Sequence, residues 1–218
     1  AGVQQISNSA FDGLGTAIYL TNDVSTTISS TTVSNSDFGL RVGAQSSANH
    51  IVDTMTLSNN DVGISAEGTG DLAMNDVSLN SITTDIEITD SSTVSFLDGS
   101  VDQAKVSISS TATGTFDRDR SYIATLEADS NPLASANVIL SSKDAASSST
   151  GITDASGVTS GLSFSVYDMS STGVTDYSSF FNTYTLSTVA MVAYSYDSET
   201  VNDGDFRYIQ ATPTLTDA

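Results

Sequence analysis

One short phrase is written five times in the first hundred residues: ISNSAF from Ile6 to Phe11, VSNSDF from Val33 to Phe38, LSNNDV from Leu57 to Val62, VSLNSI from Val77 to Ile82 and FLDGSV from Phe96 to Val101. Each copy is followed by an alternating apolar pair: AIYL ending at Leu20, GLRV at Val42, GISA at Ala66, DIEI at Ile88 and KVSI at Ile108. The centres of those pairs, Ile18, Leu40, Ile64, Ile86 and Val106, stand 22, 24, 22 and 20 residues apart. A period near 22 built from short alternating runs, with no helical spacing, predicts a coiled solenoid of β-strands.

Alternation along a strand sends successive side chains to opposite faces. The core-facing set is therefore Ile18 and Leu20, Leu40 and Val42, Ile64 and Ala66, Ile86 and Ile88, Val106 and Ile108. Val24, Ile28, Ile51, Met55, Leu72, Met74 and Val94 are expected to fill a further face of each coil. Asn8, Asn35, Asn59, Asn80 and Asp98 recur at the same place in the phrase and are assigned to turns with a left-handed backbone, which Asn and Asp tolerate. The same parity sends Ala17 and Tyr19, Gly39 and Arg41, Gly63 and Ser65, Asp85 and Glu87, Lys105 and Ser107 outward. Arg41 and Glu87 are two coils apart, about 10 Å at the inter-strand spacing, with Ser65 between them.

These repeats resemble the right-handed parallel β-helix proteins of the pectate-lyase-like superfold over about residues 3 to 115. That superfold holds polysaccharide lyases, hydrolases and epimerases beside adhesins and surface proteins with no enzymatic role, so the resemblance implies a fold without choosing a chemistry. A glycan lying along the outward row would meet Tyr19, Arg41, Asp85, Glu87 and Lys105. The competing reading is a solvated face with a few charges for solubility. Five coils make a short groove, and the segments between repeats, such as QSSANH and EGTGD, are short. His50 is the only histidine and has no second His or Cys with which to share a metal; it reads as a turn residue. The chain is expected not to be an enzyme.

After Gly114 the period stops. FDRDRSYIATLEADSNPLASANVIL reads as a strand, a turn at Asn131–Pro132 and a strand ending at Leu140; further strands are expected over 182–194 and 206–215. Asn131, Pro132, Leu133, Ala136 and Val138, followed by Thr153, Asp154 and Gly157, resemble the carboxypeptidase-regulatory-like or transthyretin-like sandwich module, also called immunoglobulin-like, over about residues 117 to 212. Such modules serve as spacers or docking units. Asp154 and Gly157 are assigned to a hairpin, and the aromatic group Tyr177, Phe180, Phe181 and Tyr184 to packing on the sandwich. Residues 167–182 form an insertion that the family pattern does not place. The fold class is thus all-β: a short right-handed parallel β-helix of about five coils over 1–115, followed by an antiparallel β-sandwich over 116–218.

Calcium is the cofactor that the paired carboxylates Asp117 and Asp119, and Asp203 and Asp205, have the chemistry to hold, although Arg118 and Arg120 can neutralise the first pair without an ion. With 26 acidic residues against 6 basic ones the formal net charge is −20, which repels nucleic acid and anionic membrane surfaces. There is no cysteine, hence no disulfide or thiolate site, and no apolar run long enough to cross a bilayer. Abundant Ser and Thr with two lysines suggest an extracellular or cell-surface protein of a marine or salt-adapted microbe. The expected function is structural: a subunit of a surface layer, stalk or filament, self-associating head-to-tail through an uncapped first coil. The alternatives are a carbohydrate-binding or lyase-like β-helix, for which surface glycans are the partners, and a fragment of a larger adhesin.

Overall fold

The computed structural model describes residues 3–21, 23–128, 131–141, 148–176, 182–187, 191–197, 200–202 and 211–217. The chain divides into two compact units, Ala1–Arg118 with Asp168–Thr175, and Asp119–Tyr167 with Asp176–Ala218.

The first unit is a parallel β-solenoid of about five turns. Its first coil holds β1 (Gln4–Ser7), β2 (Ala10–Asp12) and β3 (Thr16–Leu20). The second holds β4 (Thr26–Ser34) and β5 (Phe38–Val42), and the third β6 (His50–Ser58) and β7 (Val62–Ala66). The fourth runs through β8 (Leu72–Asn75), β9 (Ser78–Asn80) and β10 (Thr84–Ile88). The fifth has β11 (Thr93–Leu97), a 3-10 turn at Gln103–Lys105 and β12 (Val106–Ile108). One sheet stacks β3, β5, β7, β10 and β12 in that order, and the register aligns Ile18, Leu40, Ile64, Ile86 and Val106. The period read from the apolar pairs is therefore the coil period. Leu40, Ile64 and Ile86 are wholly buried, each worth about 2 kcal/mol of transfer from water.

The second stack, β1, β4, β6, β8 and β11, aligns Ile6, Ile28, Val52, Met74 and Phe96 as an inward column. Val52 takes the place expected for Ile51, which is 52% exposed. The reason is a corner inside the strand. Thr54 has φ 54°, so the alternation is reset there, Met55 turns inward, and parity counted back from Met55 assigns the wrong neighbour.

Those corners also correct the expectation for the repeated phrase. Asn8 stacks on Ser30, Thr54, Asp76 and Asp98, and all five have φ between 49° and 57°. Asn35 and Asn59 belong to a different corner, below Gly13, and also have positive φ. Asn80 ends β9 instead of forming a turn. The phrase therefore marks two corners of the coil, because both need the same left-handed residue after an apolar, Ser-rich strand. Thr54 is the costly member of its stack, since a β-branched side chain is poorly tolerated at positive φ. Thr54→Asn is expected to stabilise the solenoid by about 0.5–1 kcal/mol, read as a raised denaturation midpoint at unchanged m-value.

The second unit is built from antiparallel pairs. β13 (Thr115–Ala128) pairs with β14 (Asn131–Pro132) and, from Tyr122 onward, with β22 (Ala211–Asp217). β15 (Asn137–Ser141) pairs with β16 (Ser148–Ile152), and a turn then leads to β17 (Val158–Ser170) and β18 (Gly173–Asp176), of which Asp168–Thr175 belong to the first unit. β19 (Asn182–Ser187), β20 (Met191–Asp197) and β21 (Thr200–Asn202) form a further antiparallel group. The single strand expected over 182–194 is thus two antiparallel strands, and the strand expected over 206–215 is described from Ala211 onward, its residues 206–210 lying outside the described residues. Asp154 and Gly157 form the hairpin corner assigned to them. The Asp154 carboxylate accepts from Ser156 N–H at 2.8 Å and Val158 N–H at 3.0 Å, and Gly157 has φ 74°. Thr153, beside them, is buried; its hydroxyl donates to Leu133 O at 2.5 Å and accepts from Ala136 N–H at 2.9 Å. One side chain thus ties the two motifs together.

Candidate functional site

The outward face of the β3–β5–β7–β10–β12 sheet is where the charged row was expected. Register places Tyr19, Arg41, Ser65, Glu87 and Ser107 on successive rungs. Arg41 is the centre of the group. Its Nε donates to Glu67 Oε1 at 2.7 Å and its Nη2 to Glu67 Oε2 at 3.0 Å, a two-toothed grip that matches planar guanidinium to planar carboxylate. The guanidinium also sits 5.3 Å from the ring centroids of both Tyr19 and Phe38. The bond to Glu67 raises the Arg41 pKa further, so this cation is permanent. Ser65, wholly buried, has its hydroxyl 3.2 Å from Glu67 Oε1 and 3.3 Å from Glu87 Oε2. One hydroxyl proton serves one carboxylate at a time, so Ser65 shares a single bond between two coils.

Glu67 was not foreseen. It stands one step beyond GISA, on the same side as Ser65, and extending the parity past the apolar pair would have found it. Tyr19 is half exposed, its ring lying over Gly43, where a Cβ would come within 2.7 Å of the phenol oxygen.

Two of the five expected glycan contacts do not join the row. Asp85 is 1% exposed and accepts from Ser81 N–H at 2.8 Å and Asp102 N–H at 2.9 Å. It occupies the rung position of Gly39 and Gly63, where the sheet bends into a corner and a side chain is folded under the preceding turn. Lys105 ends the 3-10 turn and donates from Nζ to Ser81 O at 2.6 Å. Both are consumed by backbone groups that the corner leaves without ladder partners.

Among the described residues no group of three His, Asp or Glu side chains gathers as a metal site. Asp119 accepts from the Ser165 hydroxyl at 2.8 Å. Asp203 and Asp205, with Tyr177, Phe180 and Phe181, lie outside the described residues. His50, expected in a turn, is a core residue at the start of β6. Compared with protein-family models, curated proteins and solved structures, the chain matches none.

Proposed function

We propose that this chain is a non-enzymatic structural protein of the cell surface, a stiff unit of a layer, stalk or filament. The observation that carries the reading is where its few chemistry-bearing side chains go. Arg41 is gripped by Glu67, Asp85 and Lys105 are bonded to backbone, and His50 is held inside the core. An acid–base or lyase site needs a carboxylate and a cation free to meet a substrate, and here those groups hold the solenoid together. In this reading the antiparallel pairs beyond Asp119 close into an immunoglobulin-like or transthyretin-like sandwich that links or docks. The outer edges of β1, β2 and β3 receive a further rung head-to-tail, by the strand addition that open sheet edges invite.

The strongly acidic composition fits a secreted protein and sets the salt dependence expected of such contacts, because copies carrying −20 charges repel at long range until salt screens them. Light scattering with negative-stain imaging tests the proposal. Rods or oligomers that lengthen with protein and salt concentration are expected; a monodisperse monomer throughout sinks it. A second reading, a glycan-binding face, is favoured by one observation: the Tyr19 ring is half exposed and buttressed by Arg41. Saccharide binding lost in Tyr19→Ala, with a normal melting curve, would replace the first reading by the second.

A further inference from the structure

The chain has one histidine, and the solenoid uses it as a joint between coils. His50 is 1% exposed. Its Nδ1 lies 3.3 Å from the Thr26 N–H of the preceding coil and can only accept there. Its Nε2 lies 2.9 Å from Ser46 Oγ, so the one proton of the neutral ring sits on Nε2 and is donated to that hydroxyl. Ser46 is itself wholly buried: its N–H donates to Gly43 O at 2.9 Å, and its carbonyl accepts from Thr69 N–H at 3.1 Å and Gly70 N–H at 3.2 Å in the next connection. The His50 N–H donates to Asp71 O at 2.8 Å. A continuous hydrogen-bonded strap thus runs from the second coil through the imidazole to the connection between the third and fourth.

We infer that His50 is an acid-releasable bolt: a second ring proton, taken at Nδ1, sets donor against donor at Thr26 and places a cation in the core, loosening the second coil from the third. Among the described residues the ring's hydrogen-bond partners are the Thr26 amide and the Ser46 hydroxyl, neither of them an anion. β1, β4 and β8, which share its column, carry no titratable side chain. Tyr19 of β3 lines the cavity of about 40 Å³ next to the ring, together with Gln4, Leu20, Thr21, Val24 and Thr26. Arg41 of β5 and Glu67 beyond β7 are paired with each other on the outer face. Asp53, on β6 itself, receives Asn75 Nδ2 at 3.0 Å. In the connections, Asp23 is taken up by the Ser47 N–H and hydroxyl, and Asp71 by Thr93 N–H.

Burial pushes the His50 pKa below its usual value of 6.5. The folded ring therefore binds its proton less tightly than the unfolded chain does. The stability this joint contributes is present in full above the unfolded value, and it is lost as pH falls through that value toward the folded one.

Because the histidine is unique, its ring resonance in a proton–carbon NMR titration needs no assignment. A midpoint below the usual one of about 6.5 is expected. In the same window, protection of the Thr26 amide should fall by up to about tenfold per pH unit. The wild-type melting temperature should fall relative to that of His50→Leu, a side chain that Leu72 already places at the same point of the next coil. The variant shares every carboxylate, so carboxylate titration cancels in the comparison. If the leucine variant fails to fold, His50→Asn, whose Oδ1 can accept from Thr26, takes its place. A midpoint at or above the usual value, or parallel melting curves for wild type and variant across about pH 5–7, overturns the inference.

Discussion

Arg118→Met is expected to cost the solenoid about 3–4 kcal/mol, the largest loss for any substitution of a charged residue in this unit. Arg118 is 4% exposed, on the inward side of the first residues of β13. Its Nη1 donates to Phe96 O at 3.2 Å and Asp98 O at 2.7 Å, its Nη2 donates to Gly99 O at 2.9 Å, and its guanidinium lies 4.7 Å from the Phe96 ring centroid. Asp98 and Gly99 have φ of 57° and 68°, which turns their carbonyls out of the ladder. The five-donor fork of arginine is what closes that corner. Methionine keeps the apolar stem and removes every donor, taking the guanidinium from three carbonyls, of which Phe96 O is buried and Asp98 O and Gly99 O are part-buried. At about 2–4 °C per kcal/mol for a chain of this size, the melting transition should drop by about 6–16 °C. Arg118→Lys, with three donors on one nitrogen, should recover less than half of the loss. Calorimetry on the three proteins decides it; a loss below about 1 kcal/mol for Arg118→Met would mean that water satisfies the carbonyls as well as the guanidinium does.

The solenoid was legible because its core obeys one parity rule over and over. Ile18, Leu40, Ile64, Ile86 and Val106 needed only a period and an alternation to be placed, and register confirms each. What the sequence hid were the corners. Thr54 and Ser30 have positive φ like Asn8 without belonging to the residue types that announce it, so the reset of alternation at Thr54, which leaves Val52 rather than Ile51 inside, left no mark in the text. Asp85 and Lys105 were assigned outward by the same rule that placed Ile86 and Val106 inward, and the rule failed where each strand begins: Asp85 is the second residue of β10, and Lys105 ends the 3-10 turn that leads into β12. Arg118 shows the opposite limit. In FDRDRS its flanking carboxylates suggest neutralisation at the surface, whereas alternation from the buried Phe116 directs it into the core. Parity thus places Arg118 where its charge does not, and it misplaces Asp85 and Lys105, where a strand is only beginning.

Gly13 and Gly99 permit a test of how much of a corner's cost is conformational and how much is crowding. Their φ values, 67° and 68°, are the same for this purpose, so alanine pays the same backbone penalty at both, about 1 kcal/mol. A Cβ on Gly13 meets nothing within 4 Å. A Cβ on Gly99 would overlap the Val77 carbonyl oxygen and come within 2.6 Å of Val77 N. That carbonyl accepts from Ser100 N–H at 2.9 Å, and the Gly99 carbonyl is one of the three held by Arg118, so the backbone cannot withdraw without breaking both. Gly13→Ala should therefore lower stability by about 1 kcal/mol, and Gly99→Ala by at least about 3 kcal/mol, among the largest effects of a single methyl group. Denaturant titration of the two variants under one condition gives the difference directly. Equal losses would show that the coils at Val77 and Gly99 are not in backbone contact. A loss confined to Gly99→Ala would instead show that the left-handed turn at Gly13 carries no strain.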